Sequence, residues 1–317
     1  MGFLSGVVTR GINNIYSVDV ENDQPFSAEC RTTYECRIKG KVLQGIDDDY
    51  NPIAVGDTVR LVPTSSTEGL NVQGMDRRSS FIRWNAKRGC DQIVAANIDL
   101  VVIVGSSDEP PFRPRFIDRA IACTTGCPVL IVLNKCDLLI SEEEDNRFRL
   151  YEKVGFDVFA MSAYDEAGIL ALKSRLEGKV SAFVGQSGVG KSTLVNALAG
   201  ISRQKVGQIS EKFNRGRHTT NHSIMIKCGT FAIIDTPGVK ELLVPHSDPA
   251  AMVQAFPEFI NYASKCSFQP CLHWHEPDCA VKRALEEHIL DPDRYESYIR
   301  MLVSIEERPE EWESDRR

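Results

Sequence analysis

Two kinds of apolar pattern divide the chain. From Phe3 to Val62 the apolar residues come in short β-type runs, Phe3–Arg10, Asn14–Val20, Tyr34–Val42 and Asp57–Val62. Turn-forming stretches such as Gly11-Ile-Asn-Asn, Glu21-Asn-Asp, Gly45-Ile-Asp-Asp-Asp and Val55-Gly-Asp separate them. Four or five strands in about 65 residues predict a small barrel, and the OB-fold matches that size. Such barrels bind nucleic acid or serve only for packing, and the pattern leaves both readings open. From Ile93 the runs become continuous: Leu100-Val-Val-Ile-Val104 and Pro128–Leu133 predict strands buried on both faces of a parallel sheet. Phe116–Cys123 reads as a helix between them, and Asp157–Met161 and Phe231–Ile234 as further strands. Near the end, Cys279–Leu290 and Arg294–Ile305 read as two helices with Pro292 at the break, followed by an acidic tail from Glu306.

Between barrel and sheet, Thr64–Gly89 reads as a loop. It carries Arg77, Arg78, Arg83, Lys87 and Arg88 around Phe81 and Trp84. The strip can face RNA or be the solvated surface of a linker.

Composition narrows the class. At 317 residues the chain has room for two or three domains, and its 42% hydrophobic and 26% charged content is that of a soluble globular protein. A net charge of −7 argues against a protein that coats nucleic acid indiscriminately. No apolar run approaches the ~18 residues of a membrane span. The start, MGFLSG, has neither a basic n-region nor a long apolar h-region, so no signal peptide is expected, and Gly6 breaks the myristoylation pattern. Of ten cysteines, seven are scattered and three fall between 266 and 279 beside histidines. In a reducing compartment that cluster reads as metal ligands and the others as small core residues.

The chemistry centres on Val180–Leu194, VSAFVGQSGVGKSTL. Gly185-Gln186-Ser187-Gly188-Val189-Gly190-Lys191-Ser192 fits G-x-x-x-x-G-K-[ST], with an apolar strand before it and an apolar-periodic segment (Leu194, Val195, Leu198) after it, and Thr193 joins these eight as a candidate GTP-binding residue. Glycines let backbone N–H groups turn toward phosphate oxygens, and the helix N-terminus adds its positive dipole end. Lys191 then reaches the β- and γ-phosphates, and Ser192 offers a hydroxyl to Mg²⁺. The residues predict a nucleoside triphosphate site.

Which base it takes is read upstream. Asn134-Lys135-Cys136-Asp137 lies at the end of a buried strand, where open α/β sheets place their ligand loops. An Asp137 carboxylate can accept from the guanine N1–H and exocyclic amine together, a donor pair that adenine lacks. Asn134 supports the loop and base edge, and the Lys135 stem lies over the ring. Ser162-Ala163, after the 157–161 strand, is placed to offer a backbone N–H to the guanine O6. Downstream come the cations Arg203, Lys205, Lys212, Arg215 and Arg217, then His218-Thr219-Thr220, a candidate switch loop over Mg²⁺ and the γ-phosphate. Either threonine can be the metal ligand. Asp235-Thr236-Pro237-Gly238 comes next, with Asp235 placed to hold Mg²⁺ through water and the Gly238 N–H to sense the γ-phosphate. Where many GTPases carry a water-orienting glutamine after D-x-x-G, this chain has Val239, which cannot hydrogen-bond. Intrinsic hydrolysis is therefore expected to be slow, with His218 or an external partner completing the catalytic group.

Cys266-x4-Cys271-x-His273-x5-Cys279 offers three thiolates and an imidazole for a closed tetrahedral, structural Zn²⁺ site. Spacing alone admits His275 in place of His273.

Taken in chain order, NKCD, SA, GQSGVGKS, GRHTT and DTPG resemble the circularly permuted GTPases of the ribosome small-subunit-dependent GTPase A family. The resemblance covers essentially the whole chain. One departure is Asn221, where the family's H-T-T-T would place a third threonine. The resemblance implies an N-terminal OB-fold over 1–75, a permuted α/β P-loop GTPase over 76–241 with a basic linker at 76–92, and a mainly helical zinc-binding domain over 242–317. It also implies His273 as the fourth zinc ligand and a role in late maturation of the 30S subunit, with GTP hydrolysis stimulated by that subunit; one structural zinc, Mg²⁺ with GTP and a cytoplasmic location are expected from the residues themselves. Partners would be that subunit with its rRNA, and GTP or GDP; no membrane is implied, and nothing demands more than a monomer. The competing reading is an RNA-binding protein built on the zinc and OB-fold modules, with regulatory guanine-nucleotide binding and incidental hydrolysis.

Overall fold

The computed structural model describes residues 2–12, 14–20, 32–38, 52–200, 223–238, 241–245 and 249–308. Five strands, β1 (Leu4–Ile12), β2 (Ile15–Val20), β3 (Thr32–Ile38), β4 (Thr58–Pro63) and β5 (Glu68–Gly74), run in the order β1-β2-β3-β5-β4, and β4 returns to β1. Of these five, only β3 and β5 pair in parallel. Closure gives every one of these strands two neighbours, and Val8, Val18, Val59 and Leu61 fill the interior.

Two strands occupy the stretch expected to be a loop. β5 carries few large apolar residues in Glu-Gly-Leu-Asn-Val-Gln-Gly, so its strand character comes from ladders to two neighbours rather than from its own pattern. β6 (Ser80–Asn85) and β7 (Cys90–Ala96) form a hairpin through the expected linker, and Phe81 is buried. Its arginines are tie points: Arg77 forks onto Asp57 at 2.7 Å, Arg78 pairs with Asp99 at 2.7 Å, and Arg83 donates to Gln92. That use favours packing over a free RNA-facing strip.

The second layer system is built on β8 (Leu100–Ser106), α1 (Pro114–Ala122), β10 (Val129–Asn134), α2 (Glu142–Lys153), β11 (Asp157–Ala160), α3 (Glu166–Leu176), β12 (Val180–Gly185), α4 (Lys191–Leu198), β13 (Ile224–Lys227) and β14 (Ala232–Asp235), whereas the short β9 (Thr124–Thr125) pairs with β6. Strands β11-β10-β8-β12-β14 are parallel, with β13 antiparallel outside β14. Alternation along β8 sends Val101 and Ile103 toward α1 and α2, and Val102 and Val104 toward α3 and α4. β13 also pairs with β1 (Arg10 opposite Ile224), and Lys227 is salt-bridged to Asp19 at 2.5 Å. The barrel and the parallel sheet are therefore one continuous ladder.

The C-terminal portion has a 3₁₀ turn (Pro249–Ala255), α5 (Pro257–Ala263), α6 (Ala280–Glu286) and α7 (Pro292–Glu306). Pro292 opens α7 rather than merely separating helices, and the Asp291 side chain caps it by accepting from the Arg294 N–H at 3.0 Å. Phe256, Phe259, Tyr298 and Met301 share one apolar core with Phe116 and Ile117 of α1. At its centre Arg294, 2% exposed, donates to Asp118 of α1 at 2.5 Å and to Glu258 of α5 at 2.7 Å. Its guanidinium lies 4.4 Å from the Phe256 ring, and the Tyr151 hydroxyl of α2 donates to Asp118 at 2.8 Å. Burial alone would lower the Arg294 pKa; Asp118 and Glu258 outweigh it and hold the group above its ordinary range. Truncation strands the buried Asp118 carboxylate and the partly buried Glu258, so Arg294→Ala is expected to cost about 3–5 kcal/mol. Urea unfolding checks this, and a loss under about 1 kcal/mol would mean the pair is solvated.

Candidate nucleotide site and metal cluster

The C-terminal ends of β8, β10 and β12 lie side by side, with Ser106 in register with Asn134 and Val104 in register with Gly185. The loops leaving these strands therefore meet. Gly185–Ser192 wraps from β12 into α4, with Gly188 at φ 91° and Gly190 at φ 84°. Both need the left-handed region, which glycine enters without a Cβ clash. At Gly190 the need is doubled: a Cβ would stand 2.4 Å from Asn134 Nδ2.

That close approach exists because Asn134, 1% exposed, joins two loops. Its Nδ2 donates to Val189 O at 2.9 Å, and its Oδ1 accepts from the Ala163 N–H at 2.9 Å. The Asn134 side chain thus spans the phosphate loop and the Ser162–Ala163 loop. Lys135 has φ 64°, and its ammonium contacts Glu109 O. The segment carrying Glu109 also lies over the phosphate loop, since a Cβ on Gly188 would sit 3.3 Å from Pro110 Cδ. Asp137 is exposed at the loop tip, and Ser162 is buried.

Lys191 is 6% exposed, and its ammonium is salt-bridged to Asp235 and donates to Thr236 O at 2.5 Å. The Thr236 hydroxyl donates to Phe183 O at 2.7 Å, fixing the Asp235–Gly238 turn against β12. Gly238 faces the loop, a Cβ there meeting Ser187 Cα at 3.7 Å. Gln186, Ser187, Ser192 and Thr193 are at least partly accessible at the loop and first turn of α4, and Val189 is buried. His218, Thr219, Thr220 and Val239 lie outside the described residues.

In the C-terminal portion, one ligand atom each from Cys266, Cys271, His273 and Cys279 falls within 4.8 Å of the others. Cys266 Sγ to Cys279 Sγ is 3.8 Å, and His273 Nδ1 lies 3.6 Å and 3.4 Å from those two sulfurs. A tetrahedron with 2.3 Å metal–sulfur bonds has edges of about 3.8 Å, so the donor set fits Zn²⁺. The His273 ring is buried among the thiols, whereas His275 is exposed and stacks on Trp274 at 4.1 Å. Sequence reading missed the support: Glu276 accepts from the Leu272 and Trp274 N–H groups at 2.7 and 3.0 Å, and Tyr295 and Tyr298 of α7 donate to His273 O and Leu272 O at 2.7 and 2.9 Å. The two tyrosines lie 22 and 26 positions from their partners, so no local spacing signals them.

The tightest constraint at the nucleotide site gives a direct test. Gly190→Ala places a methyl against the Asn134 amide in left-handed backbone, and is expected to destabilise the fold by about 1–3 kcal/mol while opening the Asn134–Val189 contact. Denaturant unfolding measures the first, and hydrogen exchange over 134–137 and 185–192 the second.

Known proteins resemble this chain over nearly its full length. The model of the RsgA GTPase family matches residues 74–245. The small ribosomal subunit biogenesis GTPase RsgA of Borrelia garinii subsp. bavariensis is 35% identical over 307 residues, covering 96% of this chain and 97% of that protein. The crystal structure of YjeQ from Thermotoga maritima is similar with a TM-score of 0.69 at 26% identity, covering 97% of this chain and 100% of that one. That of YloQ, described as a circularly permuted GTPase, has a TM-score of 0.67 at 25% identity, covering 98% and 97%. Fold, loop order and identity over nearly the full length converge: the chain belongs to the RsgA GTPase family and is a circularly permuted GTP hydrolase.

Proposed function

We propose that this chain acts on the small ribosomal subunit and assists its late maturation, hydrolysing GTP to GDP and phosphate with turnover raised by the particle. The observation that carries the reading is Asn134 tying the base-reading loop to the phosphate loop, in a chain 35% identical over 96% of its length to a protein named for small-subunit biogenesis. Asp137 selects guanine, Lys135 covers the ring, and the Ala163 side of the 162–163 loop meets the base edge. Gly185–Thr193 wraps the phosphates, and Lys191 counters the charge that builds on the β-phosphate as the γ-phosphoryl leaves. Ser192, Asp235 and one of Thr219 and Thr220 would hold Mg²⁺, which when bound neutralises charge on the phosphate oxygens. The Gly238 N–H senses the γ-phosphate.

Position 239 is valine, so the chain lacks a water-orienting amide there. We assign that task to His218 together with the particle, which makes slow basal turnover a property of the sequence. The Cys266, Cys271, His273 and Cys279 set holds one structural zinc, and the barrel is the module we assign to rRNA. Among the described residues no helix is long and apolar enough to cross a membrane; we place the protein in the cytoplasm, as a monomer.

Turnover of GTP and of ATP, each with and without 30S subunits, tests the function. Stimulation on the order of 10²-fold or more is expected with GTP alone. Nucleotide-independent rRNA binding without stimulation would instead favour the RNA-binding reading. In the same assay His218→Ala is expected to lose stimulated turnover while keeping GTP affinity; undiminished turnover removes His218 from the catalytic group. For the metal, elemental analysis is expected to find one zinc per chain, lost in Cys266→Ser together with exchange protection over 266–279.

A further inference from the structure

Guanine selection by Asp137 depends on how its carboxylate is aimed, and among the described residues no hydrogen bond or ion pair holds that carboxylate. The backbone must do it. Lys135 O accepts from the Leu138 N–H at 2.8 Å, closing a tight turn over 135–138 in which Asp137 is the third residue. This turn begins in left-handed backbone at Lys135, φ 64°, a conformation that costs a non-glycine residue on the order of 1 kcal/mol and persists only when its surroundings enforce it.

One neighbour on the β8 side supplies that enforcement. Ser107, the residue after β8, is 1% exposed. Its N–H donates to Asn134 O at 3.1 Å, and its hydroxyl donates to Lys135 O at 2.7 Å. On the far side Cys136 N–H donates to Met161 O at 3.1 Å. The turn is thus held from both neighbouring strand ends, but among the described residues only Ser107 does so with a side chain on the carbonyl that opens the turn. Backbone bonds survive substitution, so this hydroxyl is the part of the clamp that the residue type decides.

We infer that Ser107 is a positioning residue for base specificity: its hydroxyl fixes the 135–138 turn and so aims Asp137 at the guanine edge. It touches neither base nor phosphate. The inference rests on the reading that Asp137 meets the base. A carboxylate matched to two donors loses both contacts when its turn drifts, and the contact to the exocyclic amine exists only for guanine. Loss of the hydroxyl therefore weakens guanine nucleotides more than hypoxanthine nucleotides, which lack that amine.

Competition against a fluorescent GDP on the full chain gives the affinities of GDP and IDP, and their ratio is the readout. A general loss of stability does not move this ratio. In Ser107→Ala it is expected to narrow by about threefold to tenfold. Ser107→Thr keeps the hydroxyl and is expected to retain the wild-type ratio even where its extra methyl lowers Tm. An unchanged ratio in Ser107→Ala, or equal narrowing in Ser107→Thr, overturns the inference. Asp137→Ala tests the reading beneath it. If that variant keeps the wild-type ratio, Asp137 does not read the base and the inference falls with it; if it abolishes the preference while Ser107→Ala does not, Ser107 alone is excluded.

Discussion

The parallel register of β10, β8 and β12 is the constraint on which this site depends. Asn134 reaches Val189 O and the Ala163 N–H only because its strand ends level with its neighbours. Two cores lock the register, one beneath Val101 and Ile103 and the other beneath Val102 and Val104. A slip by one residue would exchange the two sets between faces and carry Asn134 about 3.3 Å from its partners. Chain order is irrelevant to this arrangement. β12, bearing the phosphate loop, comes after β8, β10 and β11 in sequence yet inserts between β8 and β14 in space. Permutation therefore preserves the site while changing where the chain goes once it leaves the sheet.

Past Gly238 the chain enters the C-terminal portion. Leu242 and Val244 are buried in the core that also holds Phe256 and Tyr298. Arg294 then ties α7 to α1 and α5 through two carboxylates. The same helix presents Tyr295 and Tyr298 to the backbone of the zinc-ligand loop. On the opposite side, β1 pairs with β13, whose first residue lies four positions after the candidate switch threonine Thr220 in sequence. The nucleotide layer is thus bonded to its neighbours on both sides, by an ion network on one and a strand ladder on the other.

Much of this was legible in the chain. β8 and β10 announce themselves as continuous apolar runs because both faces are covered. The phosphate and base loops are visible because backbone approach to phosphate and a two-donor base edge demand particular residues at particular spacings. α2 is harder to see: only Phe148 and Tyr151 are buried, and the remainder is largely charged, so its start rests on the Ser141–Glu144 capping box. β5 has too few apolar residues to declare itself and becomes a strand by pairing. The arginines at 77, 78 and 83 look like a nucleic-acid strip when read linearly, because their partners Asp57, Asp99 and Gln92 lie 9 to 21 residues away.

By itself the sequence determined the chemistry on offer: a phosphate loop, an Asp suited to guanine, three cysteines with two candidate histidines, and a loop order that marks permutation. Those depend on local residue type, which needs no fold to be read. Tertiary structure decided what those groups touch. It set Asn134 as the link between loops, Ser107 as the anchor of the Asp137 turn, and His273 rather than His275 among the thiols. It also placed Arg294 between α1 and α5. Each of these depends on strands and helices distant in sequence arriving at one place, and that is settled by the register of a buried sheet and the filling of its two cores.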